Sequence, residues 1–418
     1  MTIPSVSVRS GHRPSPPAGR DTPRERRHRL VSAGVTQARP FVVGIIGGGQ
    51  LARMMYAASI GLGIGVRLLA EGPDVSAAQV VRDVTVGDYS DAETVREFAA
   101  GCDVVTFDHE HVPTGLLRDL EVSRVTVRPG PGALVHAQDK AVMRERLMAL
   151  GAPCPLNRVA PDPKALIAFG DDHGWPIIAK TSRGGYDGKG VWRIDTADEA
   201  GRPFENLAEG VQILAEELVG FVRELSALVV RSPSGQAVAY PISESVQRNG
   251  ICVETTTPAP GLSDERAVEA QQLALNIAHE LEVVGMLAVE LMQRDDGSVV
   301  VNELAMRPHN TGHWTIAGSH TSQFENHLRA VLDLPLGDPT PRAPWTVMAN
   351  VLGGSVDDLA SALLHCFARD RRLRVQLYGK QVLPGRKVAH VTAFGHDLAD
   401  VRKRARHAAN YLRGDPDA

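Results

Sequence analysis

Residues 41–72 follow a pattern of strand, glycine turn, helix and strand, and this stretch constrains the fold more than any other. Residues 42–46 form a short apolar run, which is typical of a strand buried on both faces. Three consecutive glycines from Gly47 then turn the chain into a helix that begins near Gln50, and residues 66–70 form the second strand. The pattern predicts an α/β domain with a doubly wound, Rossmann-like sheet.

The glycine turn has two interpretations. Gly47, Gly49 and Ala52 fit the G-x-G-x-x-A fingerprint, and Glu71 stands about where the ribose-binding acid of a dinucleotide site belongs. Other doubly wound domains use a similar turn to place a different phosphate on a helix N-terminus. The sequence therefore predicts a turn that holds a phosphate, with a nicotinamide cofactor as one alternative.

Polar side chains follow the next buried strand, residues 104–107, which comes after a predicted helix with Asp91 as its N-cap. The loop DHEHVP places Asp108 and Glu110 at the carboxyl edge of the sheet, where ligands bind in open α/β domains. One short loop cannot aim all of its His and acidic side chains at one metal ion. We expect a single carboxylate that contacts substrate, and the alternative is a solvated loop.

A glycine-rich segment lies between two apolar runs in residues 177–194, after a predicted helix over residues 133–150 that carries Lys140. Its centre, TSRGGYDGKG, holds four glycines and follows Lys180. It is not a Walker A loop, because Gly190 stands where Ser or Thr is required. The segment predicts either a β-hairpin lid that holds a polyphosphate or a mobile hairpin with incidental charge.

Two carboxylates stand on a later predicted hairpin. Residues 287–292 and 299–304 alternate as strands do, and the Asp-Gly pair between them favours a two-residue turn. With that turn Glu290 and Glu303 face each other directly, and like charges so placed are destabilising without a cation. We expect them to hold Mg²⁺ with Asn302 as a third oxygen ligand, and the alternative is a surface pair.

Cations cluster at two further places. Arg307 lies in the segment AMRPHNTGHWT, whose composition suits an anion site better than a core. Lys380, Arg386 and Lys387 surround a turn that could hold a phosphate monoester or be simply solvated. The closing helix, residues 398–412, has a basic face, and we expect its arginines to lie in solvent.

The overall composition excludes some classes of protein. The chain of 418 residues is long enough for two or three domains, and its net charge of −4 gives no support to a nucleic-acid or membrane partner. Four widely spaced cysteines indicate free thiols in a reducing compartment. Residues 1–40 are rich in Arg, Pro and Ser, and we expect them to form a disordered tail.

A set of motifs in a fixed order carries a resemblance. The chain contains GGGQLARM, TFDHEHV, QDK, GGYDGKG, EELV, RELS, PAP, NELAMRPHNTGHWT, TSQFENHL, LYGK and PGRK. A lid with paired carboxylates on antiparallel strands resembles the ATP-grasp superfamily. The ordered set is similar to the N5-carboxyaminoimidazole ribonucleotide synthetases, and the resemblance covers residues 42–394.

The resemblance implies a fold and a reaction. It implies an N-terminal pre-ATP-grasp α/β domain over residues 41–132, an α+β ATP-grasp domain over 133–345 and a small C-terminal domain over 346–414. The implied enzyme is a cytoplasmic, homodimeric ligase of purine biosynthesis. With ATP and Mg²⁺, or Mn²⁺ in its place, it converts bicarbonate to carboxyphosphate, whose CO₂ is captured by the amine of 5-aminoimidazole ribonucleotide.

The same resemblance implies the site residues by position. It implies that Arg307, His309 and Asn310 bind bicarbonate and that Glu290 and Glu303 bind the metal. The residues implied to bind the aminoimidazole nucleotide are Gln50, Glu110, Tyr186, Asp187, Lys380, Arg386 and Lys387. The residues implied to bind ATP are Lys140, Lys180, Gly185, Tyr186, Asp187, Gly188, Lys189, Gly190, Val191, Glu216, Glu217, Leu218, Val219, Glu224, Gln247, Asn302 and Glu303.

The chain departs from the family pattern at Gln247, where a histidine that contacts nucleotide is usual. Glutamine can donate a hydrogen bond there but cannot carry a charge. Two alternatives to the main prediction are another ATP-grasp carboxylase or ligase, such as a biotin carboxylase-like or formate-using relative, and a non-catalytic nicotinamide- or nucleotide-binding sensor. Lys380 and the PGRK turn favour a nucleotide monophosphate as substrate, which argues against the other carboxylases and ligases. The pair Glu290 and Glu303 argues against a sensor, which has little need for catalytic Mg²⁺.

Overall fold

The computed structural model describes residues 39–185 and 189–415 of the chain. The predicted tail up to residue 38 and the lid residues Tyr186, Asp187 and Gly188 lie outside the described residues. Within the described ranges, no helix is both long and apolar enough to cross a membrane.

The N-terminal part forms a parallel sheet of four strands in the order β3-β2-β1-β4. Its elements are β1 Val42–Ile46, α1 Gln50–Leu62, β2 Gly65–Ala70, β3 Asp83–Val86, α2 Ala92–Ala99 and β4 Val104–Phe107. The predicted cap of α2 is confirmed, because the Asp91 side chain accepts a hydrogen bond from Thr94 N. Since parallel strands end at one edge, the glycine turn after β1 lies beside the loop after β4.

Three helices lead from this sheet to the next part: α3 Thr114–Val122, α4 Pro131–Gln138 and α5 Lys140–Ala149. The prediction of one helix over residues 133–150 is wrong. Asp139 interrupts it with extended backbone, and its side chain accepts hydrogen bonds from Ala141 N and Val142 N. Asp139 therefore starts a new helix as its N-cap and places Lys140 in the first turn.

A second, antiparallel sheet has the strand order β5-β8-β6-β7. Its elements are β5 Asn157–Ala160, α6 Pro163–His173, β6 Ile177–Thr181, β7 Val191–Ile194 and β8 Ile213–Glu217. Short 3₁₀ turns follow β7 at Ala197–Glu199 and Arg202–Phe204. The predicted hairpin is confirmed, because β6 pairs with β7 on either side of the glycine-rich segment.

The third sheet is antiparallel and runs β14-β13-β9-β11-β12-β15-β17-β16, with β10 paired to β9. Its strands are β9 Arg223–Arg231, β10 Ala237–Ala239, β11 Ser243–Arg248, β12 Ile251–Thr257, β13 Gly285–Gln293, β14 Val299–Ala305, β15 Trp345–Leu352, β16 Arg374–Leu377 and β17 Lys387–Gly395. Because β12 pairs with β15, the C-terminal strands extend the sheet that carries the predicted carboxylates. The domain limit at residue 345 stays a prediction, since one sheet spans it.

The helices of this part are α7 Asp264–Glu280, α8 Thr315–Gly318, α9 Gln323–Val331, α10 Leu359–Arg369 and α11 Leu398–Arg413. Helix α9 joins the first and third sheets, because Phe324 and Leu328 share a buried apolar cluster with Leu51 and Met55 of α1. This packing sets the carboxyl edge of the parallel sheet against the β13–β14 hairpin.

The basic face of α11 differs from the prediction, because its arginines are partnered and not simply in solvent. Arg402 donates through Nε to Glu254 Oε1 at 3.0 Å, and Arg406 donates through Nε to Glu254 Oε2 at 2.5 Å. Arg404 donates to Asp370 Oδ2 at 2.6 Å. Glu254 is buried on β12, so Arg402 and Arg406 anchor helix α11 to that strand.

Candidate active site

A cleft of about 1260 Å³ opens between the edge of the parallel sheet, the β13–β14 hairpin and the start of β17. It collects predicted residues from distant parts of the chain. Those that line it are Gln50, Glu110, Lys140, Gly185, Lys189, Glu290, Glu303, Arg307, His309, Asn310, Lys380, Arg386 and Lys387.

Glu290 and Glu303 are directly opposed on β13 and β14, as predicted. The predicted two-residue turn is wrong, however. Arg294 N donates to Ser298 O, which leaves a three-residue loop that ends with Gly297 at φ 82°. A β-bulge between Glu290 and Leu291 then shifts the pairing by one residue. The loop and the bulge cancel, so the two carboxylates still face each other.

Each of these carboxylates has a cationic or hydrogen-bonding neighbour. Glu303 Oε1 lies 3.3 Å from Lys140 Nζ, and Glu290 Oε1 lies 3.2 Å from His309 Nε2. Burial opposes ionisation of Glu290, but the hydrogen bond with His309 and the charges of Lys387 and Arg307 outweigh it and lower the pKa. Glu290 is therefore an anion at neutral pH and lies next to a second carboxylate.

Asn302 Oδ1 accepts a hydrogen bond from Lys180 Nζ at 3.2 Å, which leaves one of its two lone pairs, and its role as a metal ligand stays a prediction. Lys180 is held in turn by Glu216 Oε2 at 2.7 Å. Asn302 is also the extra residue of the bulge, which explains its place beside the carboxylates.

Arg307 Nε donates a hydrogen bond to Glu110 Oε2 at 2.7 Å and so links β14 to the loop after β4. Burial lowers the pKa of Arg307, but Glu110, Asp108 and Glu303 raise it above the usual value. Within the described residues Glu110 Oε1 and both polar atoms of the Asn310 side chain are buried and have no hydrogen-bond partner. Both residues line the cleft, and these atoms can accept from or donate to a ligand there.

The other end of the cleft is basic. Lys380 Nζ donates to Gln50 Oε1, which joins the C-terminal segment to the first residue of α1. The preceding Tyr378 is fixed below it, since Tyr378 O accepts from Ser76 Oγ at 2.5 Å. Arg386 and Lys387 lie on the same wall. This end of the cleft suits a phosphate monoester, as the sequence predicted.

The glycine turn does not hold a phosphate, and this prediction is wrong. Gly48 N donates to Glu71 Oε2 at 3.0 Å, and Gly49 N and Ala52 N donate to the two oxygens of Asp108 at 2.7 and 2.8 Å. His109, whose Nε2 lies 3.3 Å from Glu71 Oε1, lowers the pKa of Glu71 to about 2, so Glu71 is ionised. Two carboxylates occupy the donors that a dinucleotide would need, which removes the structural basis for a nicotinamide site.

The predicted adenine segment begins with the last two residues of β8, and the acidic side chains of both are engaged by cations of the protein. Glu216 is buried between Arg144 and Lys180, and burial opposes its ionisation while both cations lower its pKa. Glu217 Oε1 accepts from Arg294 Nη2 at 3.0 Å. Leu218 is exposed and Val219 is buried. An adenine ring here would meet backbone groups and Leu218, and not the two carboxylates.

A small second pocket adjoins the cleft at Glu290 and is also lined by Glu224, Gln247 and Asn302. Burial, followed by repulsion from Glu290, raises the pKa of Glu224 to about 7. Gln247, which replaces the family histidine, donates through Nε2 to Ser245 Oγ at 3.1 Å. The pocket brings these three predicted residues together beside the carboxylate pair.

Two functional features were missed in the sequence. Asp108, in the loop after β4, caps the start of α1 by accepting from Gly49 N and Ala52 N, and only its acidic side chain after a strand hints at this. Arg183 Nε donates to Asp139 Oδ2 at 2.7 Å, and Lys140 N donates to Ser182 O, so the base of the lid is tied to α5. The sequence signal for this contact is the motif QDK. Its Asp139 caps α5, and a capping carboxylate has a second oxygen that can accept from a nearby cation such as Arg183.

A mixed sheet system with a glycine-rich hairpin over opposed carboxylates defines an ATP-grasp ligase. Three family models match the chain: the ribonucleotide synthetase preATP-grasp domain at residues 41–138, the ATP-grasp domain at 145–324 and the phosphoribosylaminoimidazole carboxylase C-terminal domain at 346–404. The chain belongs to the N5-carboxyaminoimidazole ribonucleotide synthase family.

Relatives of that name are similar over most of their length. The protein from Mycobacterium tuberculosis H37Rv is 52% identical over 89% of this chain and 87% of its own. The protein from Mycobacterium leprae is 50% identical over 89% of each.

Solved structures agree with this. The synthetase from Thermus thermophilus is 36% identical, with a TM-score of 0.80 over 88% of this chain and 98% of that one. The synthase from Aspergillus clavatus in complex with ADP and 5-aminoimidazole ribonucleotide is 30% identical, with a TM-score of 0.81 over 89% and 98%.

Proposed function

We propose that this chain carboxylates the exocyclic amine of 5-aminoimidazole ribonucleotide, with ATP and bicarbonate as co-substrates, in purine biosynthesis. The observation that carries the proposal is the joint placement of Glu290 and Glu303 opposite each other and of Arg307 and Asn310 beside them in one cleft. A basic wall that fits a nucleotide phosphate lies at the far end of the same cleft. The names of the relatives and the ligands of the Aspergillus clavatus complex support the same reaction.

ATP occupies the side of the cleft under the glycine-rich hairpin. Lys140 and Lys180 hold its phosphates, together with the lid backbone at Gly185, Lys189, Gly190 and Val191. The segment from Glu216 to Val219 borders the adenine, and Glu224 contacts the ribose, with Gln247 nearby. The roles of Tyr186, Asp187 and Gly188 rest on the family resemblance alone.

Glu290 and Glu303 would hold Mg²⁺, or Mn²⁺ in its place. Among the residues in ranges 39–185 and 189–415, no group of three or more His, Cys, Asp or Glu side chains is arranged to hold a metal alone. Two carboxylates fit Mg²⁺ nevertheless, because it binds one or two carboxylates together with substrate phosphate oxygens and water. When bound it would neutralise charge on the transferred phosphoryl group.

Bicarbonate binds between Arg307 and Asn310, with His309 beside them. Its oxygen attacks the γ-phosphorus of ATP, the bond to the β-phosphate oxygen breaks, and carboxyphosphate and ADP form. Arg307 stabilises the anion, since a partly buried guanidinium interacts strongly with developing charge. The unpartnered amide of Asn310 supplies a donor and an acceptor that orient the bicarbonate.

The aminoimidazole nucleotide occupies the basic end of the cleft. Lys380, Arg386 and Lys387 hold its 5′-phosphate, while Gln50 and Glu110 contact the base and ribose. Carboxyphosphate breaks into CO₂ and phosphate, and the amine nitrogen forms a bond to the carbon of CO₂. The amine proton passes to the departing phosphate, which completes the carbamate. Closure of the hairpin would exclude water and protect carboxyphosphate from hydrolysis.

The resemblance supports a homodimer in the cytoplasm, and light scattering coupled to size-exclusion chromatography tests the oligomeric state. The reaction itself is tested by phosphate release with ATP, Mg²⁺, bicarbonate and the aminoimidazole nucleotide. We expect release to rise strongly when the nucleotide is added and to fall when bicarbonate is removed. Release that is indifferent to the nucleotide would overturn the assignment.

A further inference from the structure

The β-bulge at Asn302 decides which residue faces Glu290. Beyond the bulge, Leu291 pairs with Val301, and a continuous ladder in that register would put Glu290 opposite Asn302. The inserted residue moves the partner of Glu290 to Glu303. A shift of one residue moves every side chain to the other face of a strand, so the carboxylate pair exists only because of the bulge.

Asn302 is held at both its main chain and its side chain. Arg144 Nη2 donates to Asn302 O at 2.8 Å, and Lys180 Nζ donates to Asn302 Oδ1 at 3.2 Å. One buried carboxylate joins the two cations, since Glu216 accepts from Arg144 Nε at 2.6 Å and lies 2.7 Å from Lys180. Arg144 lies on α5 one turn after Lys140, which pairs with Glu303.

We infer that Arg144 is a positioning residue for the metal-binding carboxylates. It acts through Asn302 and Glu216, because no contact joins it to the cleft itself among the described residues. Its planar guanidinium binds the Glu216 carboxylate through Nε and the Asn302 carbonyl through Nη2, and lysine lacks this fixed fork geometry. Arg144 is 1% exposed, and burying such a charge is costly unless it is paired and hydrogen-bonded, as it is with Glu216 and Asn302.

This inference rests on the proposed metal site, so the experiment measures metal binding without turnover. Binding of Mn²⁺ is followed by electron paramagnetic resonance in the presence of ADP, with the full chain. We expect Arg144→Lys to weaken Mn²⁺ binding by about tenfold or more, as removal of a residue that supports metal ligands commonly does. The matched control is Arg146→Lys on the same helix, which contacts Glu280 and should bind Mn²⁺ like the wild type.

Three outcomes separate the possibilities. If Glu303→Gln binds Mn²⁺ like the wild type, the metal site fails and the inference fails with it. If Glu303→Gln loses Mn²⁺ but Arg144→Lys keeps the wild-type affinity, only the role of Arg144 is overturned, even when its melting temperature falls. If Arg144→Lys does not fold, Glu216→Gln replaces it, and wild-type affinity in that variant overturns the inference.

Discussion

Arg307 Nε and Glu110 Oε2 lie 2.7 Å apart, although 197 residues separate them in the sequence. The pair joins the end of β14 to the loop after β4 and turns the guanidinium toward the cleft. Glu110 keeps its second oxygen without a partner in the described part of the chain. One ion pair thus fixes the cation proposed for bicarbonate and leaves an acceptor for the second substrate.

Arg307→Lys should lower kcat by about a hundredfold to a thousandfold, the range seen when one preorganised donor to an oxyanion is lost. The charge remains, but lysine cannot hold Glu110 and the anion with one planar fork. Steady-state phosphate release measures the change, and Arg158→Lys at a surface pair with Asp172 is the control. A kcat within twofold of the wild type would contradict the assigned role.

Glu303→Gln should abolish phosphate release and leave the fold intact. A neutral amide is a poor ligand for Mg²⁺. The pair of Glu303 with Lys140 is partly exposed, and such pairs contribute only about 0–1 kcal/mol to stability. Melting temperature and turnover are measured together, with the exposed Glu265→Gln as control. Wild-type rates in Glu303→Gln would eliminate the metal site.

The titration of Glu224 should make stability depend on pH. Burial and then Glu290 raise its pKa from 4.5 to about 7, so between these values the folded chain holds a proton that the unfolded chain has released. Stability due to this group therefore falls as pH rises through that window. Without metal or nucleotide, Glu224→Gln should gain melting temperature over the wild type between about pH 5 and pH 8. If the curves of melting temperature against pH ran parallel for Glu224→Gln and the wild type, the pKa of Glu224 would not be raised. The control Glu265→Gln should give a curve parallel to that of the wild type.

Lys380→Met should raise the KM for the aminoimidazole nucleotide by about tenfold to a hundredfold, which is the loss of one charge-assisted hydrogen bond. The KM for ATP should stay unchanged, because ATP is placed at the other end of the cleft. The exposed Lys164→Met, on α6, is the control. An equal rise in both KM values would show that Lys380 supports the whole cleft and does not recognise the nucleotide.

The hairpin shows how far sequence reasoning reaches. The sequence predicts that Glu290 opposes Glu303, but through a two-residue turn where the chain makes a three-residue loop. The bulge at Asn302 corrects the register, and nothing local in the sequence marks it. Arg144 and Glu216 hold that bulge from two distant elements, so their role depends on tertiary contacts that no spacing reveals.

The glycine turn shows the opposite case. Its letters fit a dinucleotide fingerprint, but the same geometry serves two carboxylates of the protein. A Cβ at Gly49 would lie 2.1 Å from Asp108 Oδ2, so glycine is required there by the Asp108 side chain and not by a phosphate. The local pattern predicts the shape of the turn correctly but not the groups that its amides bind, because Asp108 lies 59 residues from Gly49, in the loop after β4.

The fate of a bicarbonate oxygen tests the proposed reaction most directly. Freshly dissolved bicarbonate labelled with ¹⁸O is mixed with the enzyme, ATP, Mg²⁺ and 5-aminoimidazole ribonucleotide before its oxygens exchange with water. The phosphate formed is then analysed by mass spectrometry. If bicarbonate attacks the γ-phosphorus, each phosphate carries one ¹⁸O atom. Carbamate formation with unlabelled phosphate would contradict the carboxyphosphate route and the roles given to Arg307 and Asn310.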